Sequence, residues 1–396
     1  MTMSLRTNPR LFLLFLRCFA VLMGLASLLA ALPVTALSFA AYGVATLLAK
    51  VRPLRASYGF FSSAYDGLLE RVGQKVLHDS RDTPALRLMV SLTLTVVPIF
   101  AVQLVLGKPR LLLVIAFYLS LYGLEFQRFV RMFSASHLEA HRPQGYFSGK
   151  YHKAFGRYLE FFLGFFYGNI PELGRTAHVC LHHRENSGPE DTRNTMGYDR
   201  TSRLDFFWYL SDNMWTVLGL APYAYFRAKG DEKNRRRMLW GMARYYAYFV
   251  AVFIYDWRIG TLFVLVPILC MNFINAITAW VQHAFCDPER PTDYFANSAT
   301  VMDELNFMNE GYHLCHHHRS GLHWTEMPAH FERIRDKMKE SGSLVFRDLD
   351  FMGLFLELTL LRRMNVLAEK LVPWEPMDLE QRLALLAKRT SVRTTD

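Results

Sequence analysis

Residues 86–132 read LRLMVSLTLTVVPIFAVQLVLGKPRLLLVIAFYLSLYGLEFQRFVRM. Two apolar runs, about 86–106 and 111–132, flank the turn Gly107-Lys108-Pro109-Arg110. A helix of about 20 apolar residues crosses the hydrocarbon core, and so short a link permits only an antiparallel hairpin. A second pair, about 238–257 and 261–281, is separated by Arg258-Ile259-Gly260. The predicted fold class is therefore all-α integral membrane, with four core transmembrane helices as two hairpins.

Upstream, residues 11–49 are apolar except for Arg17, with Pro33 near the middle. They read as an N-terminal hydrophobic hairpin, roughly 11–31 and 34–49. A cleavable signal peptide is the competing reading, because Arg6 and Arg10 precede the apolar run. Lys50, Arg52, Arg55, Arg71 and Lys75 follow and assign that linker to the cytoplasmic face. Between the core hairpins lies a long polar region, 134–237, with two aromatic stretches, 155–170 and 204–226, whose charged residues suit an interface. That placement keeps Arg235, Arg236 and Arg237 and every histidine cluster on one side. The predicted domains are 1–84, the hairpin and basic linker; 85–335, a membrane domain with a cytosolic helical cap; and 336–396, a tail with amphipathic helices near 349–371 and 378–389.

Composition agrees. Hydrophobic residues make up 52% and aromatics 14% of the 396 residues, which excludes a disordered chain and disfavours a soluble one. The formal charge of +10 suits an anionic lipid surface or an acidic partner, not nucleic acid. Five cysteines with no CxxC pair indicate neither a disulfide framework nor a thiolate zinc site.

Histidine is the informative residue. The chain carries His137-Leu-Glu-Ala-His141, then His178-Val-Cys-Leu-His182-His183, then a lone His283, then His313-Leu-Cys-His316-His317-His318. Residues three or four apart on a helix share a face, so paired imidazoles converge beside it. His137, His141, His178, His182, His183, His283, His313, His316 and His317 supply nine nitrogens, more than one ion accepts. Two ions are expected. A closed zinc site takes four ligands and usually includes cysteine, whereas imidazole also suits iron and copper, and nitrogen-rich sites with open positions are where O₂ is activated; of the two, iron is the better fit. Two iron ions are the expected cofactor, with O₂ as co-substrate.

These motifs resemble the histidine boxes of the membrane fatty acid desaturase and hydroxylase superfamily, especially its bacterial desaturase-like branch. The similarity covers about 86–335 and rests on HLEAH, HVCLHH, the isolated histidine ending the fourth core span, and NEGYHLCHHH followed by GLHW. It implies that the nine histidines bind two irons on the cytosolic face and that hydrogen is removed from a lipid acyl chain using O₂ and two electrons. It also implies a multi-pass protein, in a bacterial inner membrane with the active site facing the cytoplasm. Where acyl-CoA desaturases carry an asparagine one turn before the lone histidine, this chain has Ala279, with Asn275 two turns away.

Other residues are read more plainly. Glu310 and His323 are expected to support the metal site by hydrogen bonds. Glu139, Glu185, Glu190, Asp191, Asp287, Asp303 and Glu304 are further acids that orient imidazoles or remain solvated. His318 competes with His317 as a ligand; His78, His152 and His330 are read as solvated or interfacial, and Cys180 and Cys315 as packing. Arg200, Arg203, Lys229, Lys233 and Arg235 to Arg237 serve a phosphate, an acidic electron-transfer protein, or the positive-inside bias alone. With no haem domain, Rossmann fingerprint or P-loop visible, electrons are expected from a separate protein such as a ferredoxin or cytochrome. The expected substrate is an acyl-lipid, acyl-CoA or acyl-carrier-protein chain, and the expected reaction desaturation. Hydroxylation of a fatty acyl, alkane or carotenoid substrate is the alternative, and a membrane metal transporter the remote one.

Overall fold

The computed structural model describes residues 9–50, 52–124, 127–303 and 306–392, with the side chains of 9–12 and 52–61 outside that description. Glu304, an acid singled out above, lies outside the described residues. The chain is an all-α membrane protein. Its long helices include α1 (Pro9–Leu48), α2 (Arg52–Val76), α3 (Thr83–Leu106), α4 (Leu111–Tyr122) and α5 (Gln127–His141).

Three segments are long and apolar enough to cross a membrane: Leu13–Leu48, Ser80–Leu106 and Trp257–Gln282. The pair α4 and α5 makes a fourth if counted as one bent span. Helix Glu232–Tyr255, which contains most of the expected span 238–257, is 24 residues long. Arg244, Tyr245, Tyr246 and Tyr248 leave it less apolar than the others, yet Tyr255 Oη donates to the Leu104 carbonyl at the far end of α3.

The expected N-terminal hairpin does not form. Residues 9–48 make one continuous helix with Pro33 inside it. Proline removes one hydrogen bond and bends a helix, but Ala31-Leu32-Pro33-Val34 offers no residue suited to reversing the chain. α1 lies across α4, helix Arg203–Val217 and helix Val266–Gln282. Gly24 permits that approach, since a Cβ there would overlap Ser211 Oγ. Beside it Asn272 Nδ2 donates to Ser27 Oγ (3.1 Å), and Asn213 Nδ2 donates to Asn272 Oδ1 (2.9 Å). The Asn272 amide thereby finds partners through both its nitrogen and its oxygen, whereas Asn213 Oδ1 stays buried without one.

The α3–α4 hairpin forms as expected. Gly107 (φ +64°) ends α3, and the buried Gln103 side chain donates to the Lys108 carbonyl (2.6 Å) and accepts from the Arg110 amide (3.1 Å). The run 111–132 is not one straight helix, however. It breaks after Tyr122, where Gly123 (φ +74°) turns the chain and α5 departs at 51°. A side chain at that φ is disfavoured, and a Cβ on Gly123 would overlap Arg128.

The cap differs from expectation in two places. A two-stranded parallel sheet joins β1 (Thr300–Met302) to β2 (Val345–Arg347). The expected helix 349–371 is divided into Phe351–Phe355, a π-helical turn Leu356–Leu360 and Met364–Lys370, with Arg362 at φ +55° in the break. Helix Leu379–Thr390 begins on a capping box between Asp378 and Gln381. The cap is pinned to the membrane helices by Trp280, whose Nε1 donates to the Arg200 carbonyl (3.2 Å) and Thr359 Oγ1 (3.0 Å).

Candidate metal centre

Each box sits where a helix ends. His137 and His141 share one face of the last turns of α5, with ring centroids 5.3 Å apart. On another face of the same helix the buried Glu139 accepts from the amides of Glu160 (2.9 Å) and Leu159 (3.4 Å). Its carboxylate thus holds the next element against the box.

The middle box lies on a π-helical segment, Gly174–His182. Widening the turn brings residues five apart onto one face, so His178 Nε2 and His183 Nε2 lie 3.0 Å apart. Helix Val266–Gln282 stops at His283, and a short helix, His313–His318, carries the last box.

The nine histidines meet, although the boxes do not stay together. One group is His137, His141, His178 and His316; the other is His182, His283, His313 and His317. Within each, one ring nitrogen per residue lies within 4.8 Å of the others. The middle and last boxes are therefore each divided between two groups. His183 lies between them, 3.1 Å from His316 Nε2 and stacked on His317 with centroids 4.4 Å apart.

The second group carries its own test of whether it suits a cation. His182 Nδ1 donates to Asp191 Oδ2 (2.7 Å), His283 Nδ1 donates to the Asn297 carbonyl (2.8 Å), and His317 Nδ1 lies 3.2 Å from Asn186 Oδ1. A neutral imidazole has one N–H, so protonated Nδ1 leaves a lone pair on Nε2. His182 Nε2 and His283 Nε2 then face one another at 3.2 Å with no proton between them. Two lone pairs at that distance repel unless a cation accepts both. His141 Nε2 and His317 Nε2, both buried, likewise meet no hydrogen-bond partner. Burial, and then the neighbouring His182, push His283 and His316 down to about 3, which keeps both rings neutral. Three of the imidazoles have their outer nitrogens anchored in this way, and two groups of four converging rings fit a metal pair.

Glu310 and His323, expected to hold ligand rings, bond elsewhere. Glu310 accepts from Ser134 and from Gln282 Nε2, bracing α5 against the end of helix Val266–Gln282. His323 Nε2 and Trp324 Nε1 lie 3.2 and 3.1 Å from Asp82 Oδ1, and Arg142 pairs with the other oxygen. The acids divide similarly: Asp191 meets a ligand ring, whereas Glu185 accepts from Tyr225, Glu190 pairs with Lys229 and Asp287 with Arg290. Asn186 and Asn297 were not foreseen. Asn186 (φ +48°) follows the middle box in the left-handed conformation that asparagine tolerates, but no local pattern marks it as a partner of His317.

Three further expectations are corrected. His330 is buried and pairs with His318 (3.1 Å), apart from the cluster, because helix Met327–Arg333 packs back on the last box. Arg200 is no surface charge: it is buried and donates to carbonyls of Tyr198, Ala284 and Arg389, tying the cap together. Arg203 donates to the Leu360 carbonyl. Cys315 packs with Leu314 and Met327, and Cys180 against Tyr225 and Phe226.

Two cavities adjoin the cluster, and His137 lines both. One is apolar, enclosed by Leu138, Phe307, Met308, Trp324 and Met327, and reaches His313 and His316. Phe307 and Glu310 also line a groove with Phe39, Val130 and Phe351. The other cavity is polar, lined by Ser136, Asn169, Arg193 and Asn275 with His137 and His178.

The fatty acid desaturase family model matches residues 109–348, more than half of the chain and all nine histidines. No curated protein and no solved structure matches it.

Proposed function

The chain belongs to the fatty acid desaturase family, a family of oxidoreductases, and on that premise we propose that it desaturates a lipid acyl chain at a di-iron centre. The observation that carries this reading is the pair of four-histidine groups beside an apolar cavity. A bound iron pair supplied with O₂ and two electrons provides the oxidising power to take hydrogen from an unactivated CH₂.

The chain's own residues do the rest. His137, His141, His178 and His316 would hold one ion, and His182, His283, His313 and His317 the other, with His183 between them. Leu138, Phe307, Met308 and Met327 give the alkyl chain a dry wall, and burial of each CH₂ contributes about 0.8 kcal/mol, so chain length itself fixes which carbon faces the cluster. Positioning of that kind, and not a further acid or base, selects the bond. The groove through Phe307 toward Phe39 and Phe351 would admit the chain from the lipid side.

Electrons would come from a separate protein, and the substrate would be an acyl-lipid, acyl-CoA or acyl-carrier-protein chain. The location would be a bacterial inner membrane with the cluster on the cytoplasmic side. Hydroxylation is the second reading, because the same geometry serves either outcome once hydrogen is removed. A transporter is disfavoured, since transport sites lie near mid-bilayer on broken helices while these histidines sit at helix ends.

Lipid mass spectrometry of cells expressing the protein or its H182A variant tests the proposal. Loss of two hydrogens from an acyl chain, absent in H182A, is expected. Gain of one oxygen would assign hydroxylation instead, and identical lipids from both would refute the enzyme reading.

A further inference from the structure

Arg193 is 9% exposed, and its Nε meets no hydrogen-bond partner. Among the described residues no carboxylate forms an ion pair with it. Asp191, two residues earlier, is committed elsewhere: Oδ2 receives His182 Nδ1 and the Ser187 amide (3.0 Å), and Oδ1 receives the Arg193 amide (2.9 Å). The Arg193 carbonyl accepts from Tyr209 Oη (3.2 Å), which fixes the backbone without engaging the guanidinium.

A buried cation that no carboxylate contacts directly is costly, and a metal pair bound beside it would raise the cost because like charges repel most where water is excluded. The side chain lines the polar cavity together with Asn275, whose Oδ1 is also buried and unpartnered. Rotation of that amide would present Nδ2 to an acceptor instead. A planar guanidinium and an amide are the donors that recognise a carboxylate, and the guanidinium does so through two parallel bonds.

We propose that this cavity binds the carboxylate end of the substrate chain, anchored by Arg193 and assisted by Asn275. The inference rests on the oxidation reading above but replaces its esterified substrates by a chain with a free acid end. His137 lines both this cavity, of about 40 Å³, and the apolar one, of about 20 Å³, so a chain with its head at Arg193 and its tail against Leu138 and Met308 would have to open the two voids into one and would then pass the histidine cluster near its acid end. Oxidation is then expected close to the carboxyl group and not in mid-chain.

The test uses the full-length protein in detergent, with iron content measured in each variant. Binding of palmitate, methyl palmitate and inorganic phosphate is compared in the wild type, R193K and R193Q. The wild type should bind palmitate at least about tenfold more tightly than its methyl ester, the factor expected for charge-assisted bonds. R193Q should lose that preference and R193K keep part of it, with ester binding unchanged in both. An undiminished acid preference in R193Q, or none in the wild type, would overturn the proposal. So would phosphate that binds through Arg193 and is not displaced by palmitate, since the anion would then be a free one. If acid preference depends on Arg193 but no lipid is oxidised, the carboxylate site stands and the oxidation reading falls. Oxidised lipids without acid preference would sink the carboxylate site alone.

Discussion

His182 donates through Nδ1 to Asp191 at 2.7 Å, and this bond aims its other ring nitrogen at His283. Asp191 thereby fixes both tautomer and ring direction, while two backbone amides fix Asp191. Replacing Asp191 by Ala should leave the ring free to turn and lower metal affinity about ten to a hundredfold, the range for lost outer partners of ligand histidines. D191N, which keeps one acceptor oxygen, should lose less. Iron retained after dialysis against a graded chelator measures both.

The two groups make separable demands on the histidines. H141A removes a nitrogen from one group and H283A from the other, so each should lose iron and activity while the protein stays in the membrane. H318A should retain both, because His318 pairs with His330 outside the cluster. Iron per chain and product yield are the readouts, and an iron-replete, active H283A would remove that residue from the set.

Glu160 links acidity to stability. It is buried, with Arg157 Nη1 at 3.0 Å, and Arg157 is shared with Glu172. Burial foremost, opposed by Arg157 and reinforced by Glu172, pushes its carboxyl up to about 7. A carboxyl raised in the folded state contributes stability fully present below its ordinary value and lost as pH rises through the folded one. The thermal midpoint in detergent should therefore fall between pH 5 and pH 8, and E160Q should show a smaller fall, since it carries no titrating proton in that window.

The histidine content and spacing were legible because metal ligation forces residue type and because helical repeats put i and i+4 on one face. What sequence could not convey was how the boxes divide. The π-helical turn that brings His183 beside His178, and the placing of His316 apart from His317, depend on packing between distant elements. Glu310 and His323 were given the wrong partners for the same reason: nearness in sequence favoured the last box, whereas their bonds reach Ser134 and Asp82. The N-terminal hairpin failed on a local point, that Pro33 bends a helix without reversing it. Gly123 shows the opposite case, one glycine that ends the apolar stretch 111–122 where the sequence pattern ran on to 132.

That break sets the direction of α5 and hence of His137 and His141. Gly123→Ala puts a Cβ at φ +74° and against Arg128, strain worth about 1–3 kcal/mol. The variant should unfold at a lower temperature and, with the first box displaced, bind less iron. A control such as E70Q on the exposed face of α2 should do neither.

Asp82 at the start of α3 draws three elements to one carboxylate. It is fully buried, pairs with Arg142 just after the first box, and accepts from His323 and Trp324 just after the last. Removing one partner of a buried charge pair costs about 3–5 kcal/mol, because the other is left without compensation. D82A should lower the thermal midpoint steeply and release iron on mild heating, since both boxes are anchored through it. W324F removes a single hydrogen bond and should cost only about 1 kcal/mol. In D82A/W324F the indole no longer has a bond to lose, so the double variant should be less destabilised than the two single effects added together. Simple additivity in the melting curves would mean that Trp324 acts through packing and not through Asp82.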